Sequence, residues 1–283
     1  MMSKKPTLSS NSFKLPFSVP SVCSVFQTRL LYTGRMTSVN SIPGAAGPRT
    51  FRYYDLVMAG FVTVLLCSNL IGPGKSCAVS LPGWFPVWGG ASLVFGAGNI
   101  FFPFSYIFGD ILTEVYGFAR ARRVVWAGLT AQVFASVMTV VVLGLPPSGD
   151  WPHQAAFETA LGSTPRIVLA SLLAYFCGEF MNSLVLAKLK IQTGGRHLWL
   201  RTIGSTVVGE GVDSLIFYPA AFLGIWDTSL VVTVMCTNYA LKVGWEIVLT
   251  PVTYRVVAWL KRVEDEDYFD HKTQFTPWSL RLS

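Results

Sequence analysis

The residues with most to offer chemically are acids set in apolar surroundings. Asp110 and Glu114 stand four apart in "FFPFSYIFGDILTEVYGFARARRVVWAG", residues 101–128. Glu179 and Asn182 stand three apart, and Glu210, Asp213 and Ser214 fall within five residues of one another. Asn238, Lys242 and Glu246 recur every four residues. Spacings of three and four put side chains on one face of a helix. Six carboxylates (110, 114, 179, 210, 213 and 246) thus stand against one cation at similar depth, Lys242. A charge at the centre of a membrane helix costs about 2.5–3.5 kcal/mol on insertion scales, so such residues need partners or a purpose. An ion pair of Lys242 with Glu246, or with an acid of a neighbouring span, absorbs part of the set. It cannot absorb all six. The surplus implies a water-accessible cavity, protonated carboxyls, or a ligand that offers several hydrogen-bond donors.

Other chemistries lack their residues. His153, His197 and His271 all lie outside the apolar runs, and no HExxH occurs. The cysteines at 23, 67, 77, 177 and 236 form no CxxC pair and no even framework, so neither a disulfide scaffold nor a thiolate metal site is expected. "GPGKS" at 72–76 has Asn69 where a phosphate loop needs glycine, and it lacks the strand–helix context. "GEGVD" at 209–213 is not GxGD, because Val212 intervenes. No cofactor and no metal are expected, and no nucleophile–base spacing supports an enzyme.

The elements that must hold these acids are membrane helices. The 283 residues are 52% hydrophobic and 13% charged, with mean hydropathy +0.48, against about 25% charged in ordinary soluble domains. Apolar runs near 55–72, 84–108, 121–145, 165–187, 202–224 and 229–259 are long enough to span a bilayer, and they are continuous rather than alternating. The expected fold is all-α: a polytopic membrane protein with six transmembrane helices. Within the second run, Gly96, Gly98 and Pro103 predict a kinked or broken helix. Such breaks at membrane depth are tolerated where protein or a cavity covers the freed backbone, and transporters bind solutes at them.

The net charge of +7 does not imply nucleic acid, because of where it lies. Arg120, Arg122 and Arg123 separate spans two and three; Lys188, Lys190, Arg196 and Arg201 separate four and five; Arg255, Lys261 and Arg262 attend the end of span six. The alternate loops hold Lys75 and Arg166. This positive-inside pattern places both termini in the cytoplasm. Residues 1–50 form a basic, acid-poor, Ser-rich arm that reads as disordered, as an organellar targeting segment, or as an over-extended start with the true start at Met36. Residues 51–262 form the membrane domain, and 263–283 a solvated cytoplasmic tail.

The block "FPFSYIFGDILTEVYGFARARRVVWAG" resembles the signature of the queuosine precursor transporter family, also grouped as vitamin uptake transporters. "SNLIGPGKS", "GEFMNSLVLAKLK", "LRTIGSTVVGEGVDSLIFYPAAF" and "DYFDHKTQFTPW" extend the resemblance from about residue 53 to 278. The resemblance implies uptake of 7-cyano-7-deazaguanine or 7-aminomethyl-7-deazaguanine across the cytoplasmic (inner) membrane by a secondary transporter. The alternative it leaves is the substrate-binding subunit of an energy-coupling-factor importer. Such a base shows N1–H and a 2-amino group side by side, which one carboxylate accepts in parallel. Glu179, Glu210 and Asp213 are the first candidates for that contact, with Asn182, Ser214 and Asn238 for the carbonyl and ring nitrogen. Phe101, Phe104 and Tyr106 are candidates for stacking. Asp110 and Glu114 are expected to pair with Arg120, Arg122 or Arg123 as a latch, an inner gate or a proton relay, with Lys242 and Glu246 assigned to the same gate or coupling group. The expected partners are the base, the lipid bilayer, protons as coupling ion, and a second copy through small-residue faces.

Overall fold

The computed structural model describes residues 50–71, 76–80, 92–163 and 165–279. The basic arm, the Met36 start and the Lys75 loop lie outside them. Helices carry the fold: α1 (Tyr54–Leu70), α2 (Phe102–Tyr116), α3 (Phe118–Leu143), the short α4 (Gln154–Leu161), α5 (Pro165–Gln192), α6 (Leu198–Phe222) and α7 (Thr228–Glu264). At 1.5 Å per residue, α3 and α5 are each about 40 Å long, enough to cross a bilayer. Their outer faces are apolar and open: Phe134, Val137 and Val140 on α3, Leu169 and Leu173 on α5. The same holds for Leu215 on α6 and for Ile247 and Val248 on α7. A surface of this kind suits lipid, and the chain is built as a membrane protein.

The second expected span is corrected. No continuous helix covers 84–108: strand β1 (Ser76–Ser80) pairs antiparallel with β2 (Ser92–Gly96), a 3₁₀ turn follows at Ala97–Ile100, and α2 starts only at Phe102. Gly96 and Gly98 fall in the strand end and the 3₁₀ turn. Pro103 sits in the first turn of α2, where its missing N–H costs nothing. The proline therefore starts this helix instead of kinking it. The all-α expectation holds for every long element and misses this small hairpin.

α2 is short and central. From Gly109 to Tyr116 every residue is buried, against α1, α3, α5 and α7. Its C-cap, Gly117, has φ 85°, a conformation open to glycine at little cost, and the Tyr268 ring occupies the space where a Cβ would stand. This turn lets α3 begin one residue later. α5 and α6 cross in close contact through two glycines. A Cβ on Gly178 would meet the Cβ of Asp213 at 2.9 Å, and one on Gly209 would meet that of Asn182 at 2.7 Å. Small residues allow this approach, and it sets Glu179 and Asn182 beside Glu210 and Asp213.

The tail after α7 is not the solvated segment expected. Tyr268 donates its N–H to Val115 O, and the Phe118 N–H is shared by both carboxylate oxygens of Asp270. Arg122 donates to the carbonyls of Gln274 and Thr276 at 2.8 Å each. The Trp126 indole donates to Pro277 O at 2.8 Å, and Trp278 packs on Trp126 and Phe176. Residues 267–278 thus form a strap across the end of the bundle where α2 meets α3.

Candidate functional site

The polar residues of α2 and α7 lie in matching rows, because the two helices run in the same direction side by side. Asn99, just before α2, donates to Asn238 at 3.0 Å. One turn on, the Lys242 ammonium lies 4.4 Å from the centre of the Phe102 ring. Next, Asp110 faces Glu246. Last, Glu114 meets Lys261 at 2.7 Å. Asp110 and Glu114 on α2, and Asn238, Lys242 and Glu246 on α7, recur every four residues, while Lys261 joins from much further along α7.

The Glu114 end is fully neutralised. Its carboxylate is 0% exposed and takes Arg201 at 2.7 and 3.2 Å as well as Lys261. Lys190 lies 3.7 Å from it and donates to the Glu114 carbonyl at 2.6 Å. Asp267 of the strap closes the group, 2.5 Å from Lys190 and 2.8 Å from Lys261. The pairing expected with Arg120, Arg122 and Arg123 does not form. The turn at Gly117 sends those arginines elsewhere: Arg120 over Phe51 and onto Tyr116 O, Arg122 into the strap, Arg123 to the exposed surface near Tyr54. Lys190, Arg201 and Lys261 read in the sequence as topology anchors; no spacing rule ties them to an acid on α2.

The middle of the bundle is different. Lys242 binds two acids of α6, Glu210 at 2.6 Å and Asp213 at 2.8 Å. It does not pair with Glu246 on its own helix, so the neighbouring-span alternative is the one realised. Glu179 faces this triad from α5, within electrostatic range of Glu210, Asp213 and Lys242, and has no cation of its own among the described residues. Glu210, Asp213 and Glu179 all keep partial exposure. Around them, Tyr106 Oη, Asn182 Oδ1 and Ser214 Oγ are buried without hydrogen-bond partners in the structure. α2 passes Glu179 at Gly109, where an added Cβ would lie 3.6 Å from Glu179 Oε2.

Of the residues expected to bind, Glu179, Asn182, Glu210, Asp213, Ser214 and Tyr106 gather here. Asn238 lies a turn away with Asn99. Phe104 does not join them: it is 55% exposed on the outer face of α2. Phe102, which no spacing in the sequence singles out, is the ring that meets the cluster. A narrow seam with no room for a water molecule reaches Glu179 between Phe61, Gly109, Leu112 and Ser183. A cleft of about 80 Å³ lies away from the acids, lined by Asn69, Gln132, Ser136 and Ser171 among others.

A central layer of acids around one lysine, in a bundle with a lipid-facing surface, is an arrangement of solute-transporting membrane proteins. Residues 96–256 match the family model described as "Putative vitamin uptake transporter", and the chain belongs to that family. A "Probable queuosine precursor transporter" of Bacillus subtilis is 35% identical over 159 residues, covering 56% of this chain and 69% of the relative. The "Queuosine precursor transporter" of Escherichia coli is 28% identical over 193 residues, 66% of this chain and 80% of the relative. No solved structure matches the chain significantly.

Proposed function

We propose that this protein imports a 7-deazaguanine base, 7-cyano-7-deazaguanine or 7-aminomethyl-7-deazaguanine, across the cytoplasmic membrane as a secondary transporter. Six membrane-crossing segments carry it, with both termini and the strap on the cytoplasmic side. The observation that carries this reading is the acid surplus around Lys242: Glu179, Glu210 and Asp213 against one ammonium. A carboxylate accepts the parallel N1–H and 2-amino donors of such a base, the unpartnered Ser214 hydroxyl can donate to its carbonyl, and the unpartnered Asn182 Oδ1 can accept from a ring N–H. Tyr106 and Phe102 supply the rings beside it. The names of the relatives support the substrate class. Sidedness rests on charge: Arg120, Arg122, Arg123, Lys190, Arg196, Arg201, Lys261 and Arg262 gather at the strap end, and Arg166 lies at the other.

The test uses a cell that cannot make queuosine and is fed the external base. Expression of this chain alone should restore the modified tRNA nucleoside. Restoration only when an ATPase complex is co-expressed would replace this reading with the binding-subunit one.

A further inference from the structure

Asp110 and Glu246 stand apart from both clusters. Asp110 is 1% exposed and Glu246 0%, and none of their four oxygens receives a hydrogen bond in the structure. Each carboxyl is the other's near neighbour. The remaining groups that face them are Glu114 on α2, Glu179 from α5 and the Thr202 hydroxyl from α6. Glu114 is occupied by Arg201 and Lys261, and Lys242 is held by Glu210 and Asp213. No lysine or arginine pairs with either carboxyl among the described residues. Two buried carboxylates in contact, with no cation among the described residues and only the Thr202 hydroxyl as a neighbouring donor, cannot both be ionised, whereas a single proton between them supplies a hydrogen bond and removes one charge.

We propose that Asp110 and Glu246 form a proton-binding site, and that this proton is the coupling ion of transport. The inference rests on the uptake reading. Position along the helices suits that role, since Asp110 lies one turn from Tyr106 on α2 and Glu246 one turn from Lys242 on α7. The pair therefore sits between the layer that would hold the base and the neutralised Glu114 end. In each cycle one proton enters the pair from the outer side and leaves to the cytoplasm with one base, with no bond made or broken in the base.

The full chain in proteoliposomes, with labelled 7-cyano-7-deazaguanine as probe, tests this. Wild-type protein should accumulate the base when the interior is alkaline, and a protonophore should abolish accumulation. Asp110→Asn and Glu246→Gln should each retain exchange of labelled for unlabelled base and lose accumulation driven by the pH gradient. Undiminished pH-driven accumulation in both variants overturns the site, as does wild-type accumulation that follows a sodium gradient instead. Absence of wild-type exchange strikes at the uptake reading itself. An independent readout covers that outcome and any variant that fails to fold. Infrared difference spectra of the wild type should show a buried protonated carboxyl that is insensitive to the charge of added base. It should be missing from Asp110→Asn/Glu246→Gln protein that elutes as a folded species. Wild-type spectra without such a band overturn the shared proton directly.

Discussion

Two groups of buried acids share this bundle and are built on opposite terms. Glu114 is 0% exposed and is met by Arg201, Lys261 and Lys190, with Asp267 completing the network. One helical turn away, Asp110 and Glu246 have no cation among the described residues, and beyond them Glu210 and Asp213 share one lysine while Glu179 has none of its own. The first group joins the ends of α2, α5, α6 and α7 and leaves its buried acid fully satisfied. The second leaves acceptors unfilled in the middle of the molecule. In a low-dielectric interior an unfilled acceptor costs stability unless something arrives to fill it, so the contrast separates a group that holds the fold from one whose open acceptors fit the proposed binding of solute and proton.

The largest effect expected from breaking this contrast is at the satisfied end. Glu114→Gln leaves Lys190, Arg201 and Lys261 against Asp267 alone. Removing one partner from a buried ion pair costs about 3–5 kcal/mol. The variant should be recovered from membranes at much lower yield and should melt well below wild type in a detergent thermal-shift assay. Wild-type melting would mean that Glu114 is not the keystone of that end.

In the middle the order of consequences reverses. Glu210→Gln leaves Lys242 paired with Asp213, and Glu179→Gln removes an acid that has no cation. Stability should change by no more than about 1 kcal/mol, within the ordinary range for single substitutions. Uptake of the base should be lost in both. Normal uptake by both variants would remove the binding assignment and leave the acid cluster without a role.

These two regions are not equally legible in the sequence. The middle is readable because α5, α6 and α7 are long and regular, so spacings of three and four translate directly into shared faces; Glu179 with Asn182 and Glu210 with Asp213 follow from that alone. Which acid Lys242 chooses is not readable, because the choice depends on the α6–α7 contact and not on either helix. Nor is the Glu114 network. Its partners lie 76, 87 and 147 residues away, and the nearer Arg120, Arg122 and Arg123 are the natural but wrong choice. The turn at Gly117, which diverts them, depends on a positive φ that no periodicity signals. The hairpin before α2 escapes notice because an apolar run rich in glycine fits a broken helix or a strand equally well. The strap escapes because its composition is polar; its docking comes from backbone carbonyls offered to Arg122 and Trp126.

The strap sharpens the comparison from the outside, since it touches only the satisfied end. Gly117→Ala forces a β-carbon onto a backbone with φ 85° and ψ 164°, a conformation kept almost wholly for glycine, and against the Tyr268 ring. A loss of about 1–3 kcal/mol is expected for the strained backbone, with more rapid proteolytic nicking after residue 265. Base binding by the middle cluster should persist. Loss of binding with an intact strap would show that the two regions are not separable.

The smallest effect concerns the acids of the strap itself, and its sign differs between them. Burial pushes the Asp267 carboxyl up, but hydrogen bonds and charge from Lys190 and Lys261 outweigh it and hold the group below the usual aspartate range. A depressed native pKa means stability that is present above the unfolded value, about 3.9, and lost as pH falls through the native one. Asp270 is the opposite. Burial pushes it above the usual range, ahead of the Phe118 N–H and the Thr273 hydroxyl that lower it. Its ionised form costs stability, and protonation on mild acidification removes that cost. Strap docking, followed by tryptophan fluorescence in detergent, should therefore tighten slightly as pH falls toward about 4 and loosen below it. Asp270→Asn should erase the tightening and Asp267→Asn the loosening. Asp267 is 47% exposed, so its share is screened and should stay below about 1 kcal/mol. A strap that loosens on mild acidification in wild type and equally in Asp267→Asn would show that another group controls it.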